Sequence, residues 1–349
     1  MDIIKNLFHK QRGTGANIDT RPEEERAKDY EFREIVASAS PVVWTEKSQS
    51  SWRKFPIFNQ NGSNSCVAQT LAKLLGVMYW LANGVYIHFS ATHIYQRRSN
   101  SPTPGMGGVD AFNIARKSVT LEELAPSQNM TDAQMDAAQI AEYKKKVGEI
   151  FKLGNFIILP VRDIETVASV IQTTGKAVMI WFYFKIDEWT TQPTMKYPTL
   201  DAVAPDTIRH SITGVDYALV NGKKAIIADD SWGTSYGAAG QRVLDEDFFK
   251  ERNFFAAYPM NFAFEVPQLD KPQHTFLIDL EFGQTSDEVK ALQDCLRWEG
   301  LFPSNAESTG YFGSITKKSV ITFQAKYGIN PVGRVGPVTR QKLNEIYGQ

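Results

Sequence analysis

The run Asn59-Gln60-Asn61-Gly62-Ser63-Asn64-Ser65-Cys66-Val67-Ala68 sets a cysteine at the mouth of an apolar helical stretch, with a glutamine six residues upstream. A thiol is a useful nucleophile only as thiolate. A helix N-terminus, with its free amides and partial positive charge, favours that anion. The segment alone leaves an alternative open, since free cysteine is among the most buried residue types and Cys66 also fits a plain core position. Nucleophilic chemistry needs two more groups, an imidazole to hold the proton and a third side chain to orient it.

The chain has five histidines. His9 lies in a charged N-terminal stretch and His274 in a Pro-rich one. His88 and His93 flank the start of a short helix, Ser90 to Tyr95, where surface or capping roles are expected. His210 differs because it opens a strand, Ser211 to Tyr217, that reaches an Asn221-Gly222 turn and returns as Lys224 to Gly233. This hairpin carries Asp230 back towards His210. A strict two-residue turn would pair His210 nearer Gly233, so a bulge or a longer loop is required. Taken by themselves, Asp229-Asp230 also fit a solvated strand end.

The elements that hold these residues are marked by periodicity and caps. Val67, Leu71, Leu74, Leu75, Met78 and Leu81 recur at helical spacing after Cys66, with Asn64 or Ser65 as cap and Asn83-Gly84 as stop. A further helix is expected over Val109 to Ala115. Near the C-terminus Ser286 is placed to cap a helix carrying Val289, Leu292 and Leu296. Thr316 is placed to cap a second with Val320, Phe323 and Tyr327, and Pro337 fits the first turn of a third with Leu343 and Ile346.

Gln-x(5)-Cys-x-Ala before a helix, an isolated His opening a strand, and Asp-Ser-Trp-Gly-Thr-Ser-Tyr-Gly-x-x-Gly together resemble the papain-like (C1) cysteine peptidases over roughly Ala39 to Glu265. The resemblance implies an α+β, two-subdomain fold, helical on the N-side and antiparallel β on the C-side. It implies Cys66 as nucleophile, His210 as general base and acid, Asp230 as its orienting partner, and Gln60 with the Cys66 N–H as oxyanion donors. Trp232 would shield the His210 to Asp230 contact beside the substrate. Gly107-Gly108 are similar to the segment that pairs with the substrate backbone, although they also fit an ordinary loop after Pro102 and Pro104.

Three positions depart from the family pattern. Asp230 stands where the family usually has Asn, a change expected to spare activity, so that Asp230→Asn should keep much of it. Val67 replaces a Trp, and Ser63 replaces a disulfide cysteine. Cys66 and Cys295, the two cysteines, fall in different expected domains, which excludes a disulfide framework and fits a reducing compartment of synthesis. Cys295 reads as a small core residue.

The tail, Thr275 to Gln349, resembles the peptidoglycan-binding type 1 domain through Val289 to Gln293, Thr309 to Thr316, Val320-x-x-Phe323-Gln324 and Gly333-x-Val335-Gly336-Pro337-x-Thr339. Eight acidic and eight basic side chains in this segment point to recognition by hydrogen bonds and aromatic contact more than by net charge. The expected organisation is an N-terminal arm or short pro-like segment (1–38), a peptidase domain (39–265), a linker (266–274) and a small three-helix domain (275–349).

Across the chain, 38 basic and 39 acidic residues leave no net field for nucleic acid or anionic membrane. No metal cluster or cofactor fingerprint is read, and the proposed chemistry needs no cofactor. No apolar run approaches a membrane span, and Met1 to Gly15 lacks the apolar core of a signal peptide. The reading is a cysteine endopeptidase, made in the cytoplasm without a signal sequence, that acts on peptides of the bacterial wall after phage lysis or virion delivery. Two alternatives stand beside it: a protein-processing peptidase of a phage particle or envelope, and a catalytically quiet wall-binding structural protein.

Overall fold

A computed structural model describes residues 15–26, 41–191, 208–264, 271–303 and 308–348. The chain divides into two compact units, Met1–Phe264 and Glu265–Gln349. Most of the expected arm (1–14 and 27–38), His9 with it, and the Val266 to Asp270 part of the expected linker lie outside the described residues. Residues 271–274 pack within the second unit, where the His274 N–H donates to the Tyr347 carbonyl at 2.8 Å.

In the first unit the helix after the cysteine spans Cys66–Asn83, and every residue from Cys66 to Met78 is buried. Gly84 ends it with φ 72°, a left-handed turn that returns its N–H to the Trp80 carbonyl. Ser65 is the N-cap residue, but its hydroxyl meets Ser63 Oγ at 2.7 Å rather than the first helical turn. Asn64 is held by Asp132 through both its backbone and side-chain N–H groups, each at 2.9 Å. Leu81, counted in the apolar stripe, is exposed because the helix outruns the core there.

Among the described residues eight strands follow: β1 (Phe151–Leu153), β2 (Phe156–Leu159), β3 (Val178–Phe184), β4 (Ile208–Val220), β5 (Lys223–Asp229), β6 (Gln241–Asp245), β7 (Asn253–Pro259) and β8 (Phe262–Phe264). β1 and β8 form a ribbon, and the other six an antiparallel sheet in the order β2-β7-β3-β4-β5-β6. Both faces of this sheet are covered. Along β3, Met179 and Trp181 point into the core around the Cys66 helix, while Val178, Ile180, Phe182 and Phe184 point into a second core beneath the Ile164–Thr174 helix. Period two sorts the side chains and both faces are apolar, so the strand reads as one hydrophobic run. Phe182 is fully buried, and its truncation to Ala should cost about 3–5 kcal/mol.

β4 and β5 form the expected hairpin. Asn221 and Gly222 take φ 52° and 76°, the two left-handed positions of a tight turn. The required irregularity is present as a register shift between Gly214 and Asp216, after which Thr213 faces Asp229.

The second unit has helices Asp287–Trp298, Ser314–Lys326 and Pro337–Tyr347 around Val289, Leu292, Leu296, Val320, Phe323 and Leu343. Ser286 caps the first through the Val289 N–H, and Pro337 opens the third. Cys295 is buried in this core. The expected cap at Thr316 is corrected: the helix starts at Ser314, and the buried Thr316 hydroxyl accepts from Gln293 Nε2 at 2.9 Å.

Candidate active site

The loop before the Cys66 helix turns at Asn61 and Gly62, with φ 49° and 86°. It is laid against the segment after β5 by the Asn59 to Trp232 bridge and by the Gln60 N–H, which donates to the Ser231 carbonyl at 2.8 Å. The Gln60 side chain is buried and oriented at both ends. Its Oε1 accepts from Ser231 Oγ at 2.5 Å, and its Nε2 donates to the Ser63 carbonyl at 2.6 Å. Ser63, at the position of the family's disulfide cysteine, ties the loop by hydrogen bonds to Gln60 O and Ser65 Oγ.

His210 enters from β4, paired across the sheet with Phe182. Its Nε2 lies 2.9 Å from Asp230 Oδ1. Nδ1 has no hydrogen bond of ordinary geometry, and the group acting on the ring besides Asp230 is the Cys66 thiol. Burial works against the imidazolium. Hydrogen bonding and negative charge from Asp230 and Cys66 outweigh it, and the pKa is raised to about 9.

Asp230 is also buried, which by itself favours the neutral acid, yet its pKa is held well below the usual carboxylate range by Arg242, His210 and Trp189. Its neighbour Asp229 is buried too, bonded by Lys73 Nζ at 2.7 Å and by Gln241 Nε2 at 2.8 Å. The solvated strand end is therefore excluded for both. Aromatic rings close over the imidazole, with the centroids of Trp232, Phe182, Phe184 and Trp189 at 5.3, 5.9, 5.9 and 6.1 Å. Trp232 is buried, a placement that suits exclusion of water rather than contact with a bound peptide.

The Cys66 thiol is fully buried because residues 15–17 run over it. The Gly15 N–H points at Sγ from 3.2 Å, and a side chain at Gly15 would strike the Asn64 carbonyl oxygen at 1.7 Å. Ala16 pairs with Met106, whose N–H donates to Gly15 O at 2.8 Å and whose carbonyl accepts from Asn17 at 3.1 Å. The backbone edge in use is thus Met106, one residue before Gly107-Gly108. Gly107 caps the Gly108–Lys117 helix, and a Cβ on Gly108 would meet Phe255 at 2.9 Å and Trp181 at 3.0 Å. Packing therefore accounts for Gly108. Gly107, Gly108, Trp181 and Phe255 border a cavity of about 390 Å³ alongside Asn17 and Asp110.

Of the other histidines, His88 is exposed and stacks on Phe58. His93 is not at the surface as expected. It is buried, accepts from the Thr120 N–H through Nδ1 at 2.9 Å, and has its pKa pushed down to about 3 by burial and by Arg97 and Lys145. Sequence reasoning missed Trp189, Arg242 and the Gly15 segment. A lone tryptophan and an arginine in a short strand buried along its whole length carry no motif. Among the described residues no group of three or more His, Cys, Asp or Glu is placed to hold a metal, and no helix is long and apolar enough to cross a membrane.

Comparison with solved structures finds the same architecture elsewhere. Xylellain, a cysteine protease from Xylella fastidiosa, aligns with a TM-score of 0.56 at 16% identity, covering 72% of this chain and 98% of its own. The Amb a 11 cysteine protease, a major ragweed pollen allergen, aligns in its proform with a TM-score of 0.50 at 17% identity, covering 78% of this chain and 71% of its own. The chain therefore has a papain-like fold. Residues 285–343 match the family model of the peptidoglycan binding domain. No curated protein matches the chain.

Proposed function

We propose that the first unit is a cysteine endopeptidase and that the second holds it on bacterial peptidoglycan. The observation that carries this reading is the His210 ring, held by Asp230 on Nε2 at 2.9 Å and near enough to the Cys66 thiol for that group to favour its charged form. In that arrangement the Cys66 thiolate adds to the peptide carbonyl carbon. Gln60 and the Cys66 N–H receive the developing oxyanion, and the His210 imidazolium gives its proton to the leaving amine. A thioester remains. His210, now neutral, takes a proton from water as water attacks, and the acid product leaves with the thiol restored.

A substrate strand would use the Met106 edge that Ala16 occupies here, beside Gly107 and the Trp181–Phe255 cavity. Wall peptides fit because the match at residues 285–343 is to a peptidoglycan binding domain, and tethering raises the local concentration of scissile bonds. The test is incubation of the full chain, and of a chain lacking residues 1–21, with peptidoglycan sacculi and with casein, followed by identification of new amino termini. New termini in stem or cross-bridge peptides support the reading. Cleavage of casein alone shifts the substrate to proteins, and no new termini from either substrate, in either chain, removes the peptidase.

A further inference from the structure

We propose that Arg242 is a positioning residue of this site, neutralising Asp230 at the carboxylate oxygen that does not face the imidazole, so that Asp230 orients His210 without also capturing its charge. This rests on the Cys66–His210 reading above.

The geometry separates the two tasks of the carboxylate. Oδ1 accepts from His210 Nε2 at 2.9 Å and from the Ser231 N–H at 2.7 Å. Oδ2 accepts from Trp189 Nε1 at 2.9 Å and from Arg242 Nε at 3.1 Å, with Arg242 Nη2 also 3.1 Å away. Both side chains of the ion pair are fully buried. Arg242 also donates through Nη1 to the Trp189 carbonyl at 2.6 Å and lies 4.4 Å over that ring, so one guanidinium fixes the carboxylate and an aromatic wall of the imidazole.

Charge counting gives the consequence. With Cys66 as thiolate, the buried charges are three anions, Cys66, Asp230 and Asp229, and three cations, His210, Arg242 and Lys73, of which Lys73 is bonded to Asp229 and acts on Asp230 only through space. Without Arg242 the carboxylate would lose its directly bonded cation and keep only the more distant Lys73, so in a low-dielectric site it would hold too tightly the proton that the leaving amine must receive. The same count sets a competing expectation for Asp230→Asn, that it costs more than the family pattern implies, because the change leaves the Arg242 charge buried without the carboxylate it faces.

The test is a histidine-ring NMR titration of the full chain, the His210 signal being the one lost in His210→Gln, combined with thermal unfolding. Arg242→Gln should raise the His210 midpoint by roughly one pH unit, since removing a nearby cation favours imidazolium. Asp230→Asn should lower it. Each single variant should lose roughly 10 °C of thermal stability, as expected when one partner of a buried ion pair is removed, and the double variant should regain at least half. If Arg242→Gln does not fold, Arg242→Lys and the double variant carry the test: the first should keep the His210 midpoint near the native value, and the second should outlast Asp230→Asn in the melt. A His210 midpoint unmoved by loss of the Arg242 charge, or thermal losses that simply add in the double variant, overturns the proposal. Cys66→Ser in the same titration isolates the underlying reading: an unmoved His210 midpoint there defeats the Cys66–His210 pair whatever Arg242 does.

Discussion

The two units bury polar side chains in different ways. In the second unit they are mainly amides and hydroxyls, used twice in the same pattern, beside one covered carboxylate, Glu299, that accepts from the Tyr327 and Tyr347 hydroxyls. Gln293 donates to the Tyr311 carbonyl and Thr316 Oγ1 and accepts from the Gly310 N–H, all within 3.0 Å. Gln324 repeats this with the Arg334 carbonyl, Thr339 Oγ1 and the Gly333 N–H, all within 2.9 Å. Each glutamine pins the loop that enters a helix. The first unit instead buries charge: Lys73 with Asp229, Arg242 with Asp230, and His210 beside both Asp230 and Cys66. Neutral amides fix backbone at modest cost and ignore pH. Buried charges cost desolvation and respond to protons, so they are worth keeping where a proton must move.

The largest effect expected from breaking this contrast is on chemistry. Cys66→Ala or His210→Ala should lower hydrolysis of labelled casein by roughly a thousandfold or more while leaving the melting of the second unit unchanged. Gln60→Ala should reduce kcat roughly ten- to a thousandfold, the scale of losing one oxyanion donor. A change confined to KM would assign Gln60 to ground-state binding instead.

Next in size is the cover over Cys66. Removing residues 1–21 takes away the Gly15 contact with Sγ, and iodoacetamide should then alkylate Cys66 roughly tenfold faster, as the competent state becomes the populated one. Cys295 should stay silent, because burial and nearby carboxylates push its thiol up to about 12. Equal labelling of the two cysteines would break the distinction.

The pH response should separate the units more gently. His210 has its pKa raised from 6.5 to about 9, so its stabilising charge is complete below pH 6.5 and is lost as pH climbs towards 9. The thermal midpoint of the first unit should fall across that window, and His210→Gln should flatten the fall. The second unit, read by its own transition, should show none of it. Smallest is the neutral lock: Gln324→Ala should cost the second unit about 1–3 kcal/mol, Gln293→Ala a similar amount, with casein hydrolysis unaffected.

Much of this was legible in the chain because the signals are local. The Cys66 helix, its Gly84 stop, the Asn221-Gly222 hairpin with its forced irregularity, the Ser286 cap and Pro337 at a first turn each depend on residues within a few positions of one another. Thr316 was misread for the same reason. Its spacing suits a cap, but a buried glutamine twenty-three residues earlier takes its hydroxyl.

The sequence by itself therefore determined the elements, the order of cysteine, histidine and aspartate, and which strands carry them, since backbone periodicity and turn chemistry are written in short windows. Only the tertiary structure decided what surrounds those groups. Arg242 meets Asp230 because β6 lies beside β5, Trp189 because a short helix after β3 folds over it, and Gly15 meets Cys66 across fifty-one positions. A side chain's charge state and exposure are set by such neighbours in space, and no local pattern records them.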